Sequence, residues 1–189
     1  MITGKRIRLR GLELSDTEEI LKHFNDVELR RFLGHLIPIS REEEEQWIRN
    51  TWENRQKGTE YVFGIELKDS HLLIGTCSLF SIERINRSAE LGIAIWNKQY
   101  WSKGYGTEAL NLLLGYGFNF LNLHSTFLIV NEDNPRAIHA YKNVGFQHSA
   151  THRQSLFQDG RFKNTLLMDI LEDEFREHHP PHYPLQEEQ

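Results

Sequence analysis

Two glycines at a strand-to-helix junction are where this chain can do chemistry. Trp101-Ser102-Lys103-Gly104-Tyr105-Gly106-Thr107-Glu108-Ala109 follows an apolar run, Leu91 to Trp96, that reads as a strand. It opens a second apolar run, Leu110 to Leu121, that reads as a helix. Glycine lets the backbone turn tightly and come close to a ligand. The N–H groups of a helix's first turn are unpaired, and the helix dipole favours an anion beside them. Type and spacing therefore predict a phosphate-bearing ligand gripped mainly by main chain.

The elements that must position this loop follow from patterning. Lys5 to Arg10 alternates as a short strand. Ser15, with Glu18 completing a capping box, predicts a helix through Phe24; Ser40 with Glu43 predicts a longer one to about Gln56, stopped by Gly58. Tyr61 to Leu67, Leu72 to Ile82 and Ala89 to Trp96 read as strands joined by polar turns at Lys68-Asp69-Ser70 and at Glu83 to Arg87. After the glycine loop and its helix comes a strand, Ser125 to Val130. Asn134 and Pro135 then start a helix that Gly145 ends. Phe146 to Arg153 and Phe162 to Leu171 close the chain as strands around Gln158-Asp159-Gly160. The prediction is an α/β fold, a mixed but mostly antiparallel sheet of about seven strands flanked by helices. It is a single domain over residues 1–177, with a loose proline-rich tail over residues 178–189.

Composition excludes several classes. A net charge of −5 argues against nucleic-acid binding, which needs a concentrated basic surface. No apolar stretch has the length of a membrane span, and the start lacks a signal-peptide core, so a cytoplasmic location is expected. Cys77 stands alone, which rules out an internal disulfide and reads as a buried, inert thiol. No metal site is expected. His178, His179 and His182 lie in the tail without a scaffold, and His23, His35, His71, His124 and His139 lack ligand spacing. The acidic run Glu42 to Glu45 reads as a solvated helix start that complements the dipole. Phe118, Phe120 and Phe127, with Leu110, Leu113 and Leu114, read as core.

Gly104-x-Gly106-x-x-Ala109 also fits a dinucleotide fingerprint, with Glu132 or Asp133 as the ribose-binding acid. Three features oppose it. Asn97 to Lys103 separates strand from glycine, several strands precede the motif, and too few residues follow Asp133 to complete a doubly wound half. The next helix decides the matter. Together, the loop and Asn134-Pro135-Arg136-Ala137-Ile138-His139-Ala140-Tyr141-Lys142-Asn143-Val144-Gly145-Phe146 resemble the GNAT superfamily of acetyl-CoA-dependent N-acetyltransferases. Ala89-Glu90-Leu91-Gly92 and Asp159-Gly160-Arg161-Phe162-Lys163-Asn164 are similar to the branch of ribosomal-protein alanine acetyltransferases and spermidine acetyltransferases. Trp101 departs from that family's usual Gln or Arg.

The resemblance implies a GNAT fold and transfer of an acetyl group from acetyl-CoA to a primary amine by direct attack. The acceptor is a protein N-terminus or a small amine, with a polyamine as the alternative. A non-catalytic CoA-binding module of the same fold is the rival from another class, and a homodimer is the default assembly. Tyr141, seven residues after Asn134 and so on the same helix face, is expected to protonate the leaving sulfur. Glu90 is expected to accept the amine's proton, directly or through water. Main chain of Ile93, Ala94, Ile95 and Trp96 is expected to pair with pantetheine amides as an added strand. The N–H groups of Lys103, Gly104, Tyr105, Gly106 and Thr107 are expected to take the pyrophosphate. The Asn134 side chain is expected to hold another pantetheine amide, with Arg136 and Ala137 beside it among the cofactor-binding residues. Specificity should lie in the segment Phe24 to Glu60 and around Gln154 to Gly160.

Overall fold

A computed structural model describes residues 1–26, 29, 32 and 37–179. Its strands are β1 (Ile2–Thr3), β2 (Ile7–Arg10), β3 (Tyr61–Leu67), β4 (Leu73–Glu83), β5 (Ser88–Ile95), β6 (Ser125–Asn131), β7 (Gln147–Gln158) and β8 (Arg161–Leu171). Among the described residues they form one sheet in the order β1-β2-β3-β4-β5-β6-β8-β7. The strand added to the expected set is the two-residue β1, too short to carry a readable pattern. The helices are α1 (Thr17–Phe24), α2 (Arg41–Lys57), α3 (Tyr105–Asn119), α4 (Pro135–Val144) and α5 (Glu172–His178).

Local signals explain most boundaries. Ser40 and Glu43 cap α2 reciprocally: Glu43 N–H donates to Ser40 Oγ (3.2 Å) and Ser40 N–H to the Glu43 carboxylate (2.7 Å). The cap expected at Ser15 is displaced. Leu14–Asp16 is a turn of 3-10 helix, and the Asp16 carboxylate takes the Glu13 N–H (2.8 Å) and a two-pronged bond from Arg10 (2.8 Å each). That ion pair, shared with Glu66, won because it also ties α1 to β2. The tail expected from His178 begins in order: His178 closes α5, and His179 stacks on Phe175 with centroids 4.4 Å apart. Residues 180–189, His182 included, lie outside the described residues, as does His35.

The two sheet faces carry two cores. Leu91, Ile93 and Ile95 of β5 join a large cluster with Leu110, Leu113, Leu114 and Phe118 of α3 and Tyr141 and Val144 of α4. Ala94 and Trp96 point the other way, with Ile20 of α1, Leu29, and Ile48 and Trp52 of α2. This alternation is the period of two that any strand has. Phe120 is a correction: it is 78% exposed. It caps the end of α3 rather than continuing its buried stripe, and it stacks on Tyr116. Cys77 is buried and free, and burial pushes its thiol pKa up, which keeps it protonated. Among the described residues, no helix is long and apolar enough to cross a membrane.

Among the described residues β5 and β6 form the one parallel pair, and they pair through only three residues: Ser88 with Ser125, Ala89 with Thr126, Glu90 with Phe127. Beyond that point each strand stays with its antiparallel neighbour. β5 follows β4 as far as Ile95 with Gly75, and β6 follows β8 along its whole length. The seam between them opens.

Candidate active site

A cavity of about 830 Å³ occupies this opening. Its walls come from both faces of the sheet. Phe80 and Glu90, with Leu29 and Phe32, line it on the α1–α2 side, while Leu110, Asn134, Arg136 and Tyr141 line it on the α3–α4 side. The cavity therefore passes through the sheet between Leu91–Ile95 and Ile129–Asn131. Main-chain groups on those two edges have lost their strand partner and are open to an extended ligand.

The four β5 residues expected to offer main chain are not equivalent. Trp96 N–H donates to Ile74 O (2.9 Å), so it faces β4. By alternation Ala94 faces β4 too, while Ile93 and Ile95 face the gap. The Ile95 carbonyl is already taken, by the indole N–H of Trp101 (2.7 Å). Trp101 thereby closes the far end of the open edge. Its ring also carries the Arg136 guanidinium, 3.4 Å from the centroid. No local pattern in the sequence announces either contact.

At the glycine loop the two glycines do different work. Gly104 has φ +81° at the N-cap of α3, a conformation that favours glycine. Gly106 has no such need, and a Cβ built there meets nothing within 4 Å. The fold itself therefore does not require that glycine. The first main-chain bond of α3 runs from Glu108 N–H to Gly104 O (3.0 Å). The N–H groups of Tyr105, Gly106 and Thr107 thus precede the helix's own ladder. Arg6 braces this turn. Its guanidinium bonds Lys103 O (2.9 Å) and Glu108 (2.8 Å), and covers the Tyr105 ring. Gly104, Gly106 and Thr107 line the cavity; Trp96, Lys103 and Tyr105 do not.

α4 starts as its sequence predicts. Asn134 Oδ1 accepts the Ala137 N–H (3.2 Å), which leaves the side-chain amide NH₂ on the cavity side of the helix start. Polar contacts with the last hairpin hold this corner. Glu132 accepts from Asn164 N–H (3.0 Å) and Nδ2 (2.9 Å), and buried Lys163 pairs with Asp133 (2.9 Å). Asn131 Nδ2 and Lys163 Nζ share Gln158 Oε1, at 3.1 Å each. Tyr141, two turns into α4, is 8% exposed, and desolvation pushes its phenol to about 12. Its ring packs edge-on against Phe146 and its side chain lines the cavity. Such a phenol holds its proton until a strong base forms beside it.

Glu90, half-buried on the opposite face, is raised above the ordinary carboxylate range by desolvation. Glu90 and Tyr141 so stand at the two sides of one passage, a carboxyl on one and a phenol on the other. Sequence reasoning missed several wall residues, among them Phe80, Leu29, Phe32 and Asn131, because long-range packing brings them together.

A second cavity, of about 420 Å³, lies between α1, α2 and the sheet, and shares Gly92, Ile93 and Ala94 with the first. Glu44 lines it. The acidic run read as solvated is therefore solvated only in part: Glu44 is 3% exposed, and its Oε1 has no hydrogen-bond partner. Position decides this. Glu44, Ile48 and Thr51 form the buried stripe of α2 at helical spacing. Burial raises the Glu44 carboxyl to about 7.

Residues 6–147 match the family model described as an acetyltransferase (GNAT) domain. Probable N-acetyltransferase YjcK of Bacillus subtilis is 30% identical over 90% of this chain and 97% of its own length. Spermidine N(1)-acetyltransferase of Escherichia coli K12 is 34% identical over 56% of each chain. Among solved structures, spermidine N-acetyltransferase from Vibrio cholerae, in complex with CoA and spermine, superposes with a TM-score of 0.82 at 29% identity. That match covers 91% of this chain and 99% of the other.

The buried carboxyl of Glu44 has a cost that stability measurements can read. Its folded pKa of about 7 lies above the ordinary carboxyl value of 4.5, so the folded state favours the protonated form. Stability is undiminished at low pH and falls as pH rises from about 4.5 through 7, where the loss levels off at roughly 3 kcal/mol. Glu44→Gln keeps the shape and cannot ionise. In ligand-free melts it should match wild type near pH 4 and be more stable at pH 8 to 9; equal pH dependence of the two proteins would contradict the assignment.

Proposed function

The chain belongs to the GNAT acetyltransferase family, and from that membership we propose that it transfers an acetyl group from acetyl-CoA to a primary amine by direct attack. One observation carries this reading: a single passage through the sheet has Tyr141 on one face and Glu90 on the other. The donor enters from the α3–α4 side and the amine from the α1–α2 side, so no acyl-enzyme is needed. The first turn of α3, opened by Gly106, suits the pyrophosphate, with Lys103 adding positive charge at the rim. Ile93, the Ile95 N–H and the Asn134 side-chain amide suit the pantetheine amides.

Alkyl amines have a pKa near ~10, so about one molecule in a thousand is neutral at pH 7, a deficit of roughly 4 kcal/mol. Glu90 offsets part of that deficit by taking the ammonium proton through water as the nitrogen attacks the thioester carbonyl. The carbon–sulfur bond then breaks, Tyr141 gives its proton to the departing thiolate, and the surplus proton on the attacking nitrogen returns through water to the phenolate, leaving neutral amide and thiol. A phenol held near 12 protonates a thiolate only when the two meet in this dry corner, which restricts transfer to the reaction itself. The acceptor is a small amine or a protein N-terminus. The acidic second cavity favours a cationic small molecule, and the CoA- and spermine-bound relative supports the same choice. The reading includes a cytoplasmic reaction, with a homodimer as the default assembly.

A screen of amines with acetyl-CoA, read by thiol release, tests the reading; acetyl-CoA binding without release would leave only a binding module. Tyr141→Phe should lower kcat by about a hundredfold or more while acetyl-CoA binding persists. Unchanged turnover in the folded variant would remove the donor role. Wild-type kcat should fall as pH drops through the raised Glu90 pKa, and Glu90→Gln should lower kcat and flatten that limb. A retained limb assigns it to another group. Gly106→Ala should fold at least as stably as wild type, since nothing meets the new Cβ, yet weaken acetyl-CoA binding by about tenfold or more. Undiminished binding, measured by calorimetry, would move the pyrophosphate elsewhere.

A further inference from the structure

Glu108 sits where an anionic ligand would least tolerate it. It is the acidic residue of the first turn of α3, the turn that Gly104, Gly106 and Thr107 bring to the cavity wall. A carboxylate there complements the helix dipole, but it repels a phosphate drawn to the same pole. Burial pushes its carboxyl up, yet the N–H and guanidinium of Arg6 outweigh burial and hold it below the ordinary carboxylate range. Glu108 is therefore ionised at neutral pH, and its charge has to be met.

Arg6, 102 positions earlier in the chain, meets it. Its main-chain N–H donates to Glu108 Oε1 (2.7 Å) and its Nε to Oε2 (2.8 Å), and the Ile7 N–H adds a third bond (3.3 Å). The turn between β1 and β2 closes so tightly on the carboxylate that a Cβ at Gly4 would lie 2.8 Å from Oε1. The same guanidinium takes the Lys103 carbonyl (2.9 Å). In a trans peptide the C=O and N–H point opposite ways, so holding that carbonyl turns the Gly104 N–H away from Arg6. Arg6, Lys103 and Glu108 do not line the cavity, whereas Gly104 does. Gly104, left-handed at φ +81°, precedes the right-handed first turn of α3. That succession gathers neighbouring N–H groups into an anion-binding hollow.

We propose that Arg6 is the positioning residue for the pyrophosphate of the cofactor: it cancels the charge of Glu108 and aims the Gly104 N–H into the site. The inference rests on the acetyl-CoA reading and adds a residue that lies outside the cavity. Both effects act on the pyrophosphate end of the ligand, because the bonds of this ion pair run to the glycine loop and the β1–β2 turn and not to β5 or Asn134. Charge cancellation also differs in sign from simple bracing. A brace is loosened by removing either partner. Under cancellation, loss of Arg6 leaves an unopposed anion beside the ligand, and loss of Glu108 leaves an unopposed cation.

The test is calorimetric titration of CoA into wild type, Arg6→Gln, Glu108→Gln and the double variant, each shown by melting to be folded. Arg6→Gln should weaken CoA binding by about tenfold or more, and the double variant should recover most of that loss. Glu108→Gln should bind CoA at least as tightly as wild type. In turnover, Arg6→Gln should raise the KM for acetyl-CoA and leave kcat within about twofold, while the KM for acetyl-pantetheine, which lacks the pyrophosphate, stays put. Weaker binding by Glu108→Gln overturns the inference, as does a double variant no better than Arg6→Gln or an equal rise in KM for acetyl-pantetheine. Where Arg6→Gln does not fold, the sign of the Glu108→Gln effect decides alone. Failure of the wider reading looks different: the CoA affinities keep this order, but no amine releases thiol from acetyl-CoA. A wild type that does not bind CoA overturns both.

Discussion

Main-chain pairing between β5 and β6 stops after Glu90 and Phe127, and the site depends on that interruption. Unpaired peptide groups inside a fold are expensive, so a seam of this kind persists only where the flanking elements hold it open. β4 and β8 do so by keeping antiparallel ladders with β5 and β6 beyond that point. α3 and α4, packed on one face, start at the mouth of the opening and present their N-termini there. A continuous sheet would keep the two faces apart. The interrupted one lets groups from both meet in a single cavity.

The rest of the architecture is bracing. Arg6 reaches from beside β2 to Glu108 and Lys103, which fixes the glycine turn against the sheet's far side. The buried group Asn131, Gln158 and Lys163, with Asp133, fixes the start of α4 against the last hairpin. Such networks are costly if half satisfied and stiff when complete. Here they hold loops rather than core, and the loops carry the atoms that face the cavity.

The parts legible in the sequence are those with a local cause. Gly104, Asn134 with Pro135, and Ser40 with Glu43 each state a helix start within a few residues, and alternation along Ala89 to Trp96 states which side chains of β5 share a face. The spacing of Asn134 and Tyr141 likewise places both on the cavity side. What escaped is what distant packing decides. Trp101 meets Ile95 and Arg136 through the fold of the intervening loop. Trp96, expected to offer main chain to a ligand, is spent on β4. The run of four glutamates looked uniform, yet Glu44 alone falls in register with Ile48 and Thr51. That distinction was present in the spacing, and average acidity concealed it. Phe120 failed the opposite way: its hydrophobicity suggested core, but the helix ends one residue earlier.

The bond from Trp101 to the Ile95 carbonyl makes the indole a mechanical stop. Anything lying along the open edge of β5 runs out of acceptors at that residue and must bend toward the first turn of α3. The stop thereby measures length. The distance from this bend to the gap beside Glu90 is fixed by four strand residues, so a ligand's reactive end falls at a set depth whatever its head group does outside. Depth is therefore gauged by one side chain's hydrogen bond, and a tryptophan, rigid and doubly engaged through Arg136, is a stiffer gauge than a flexible polar chain.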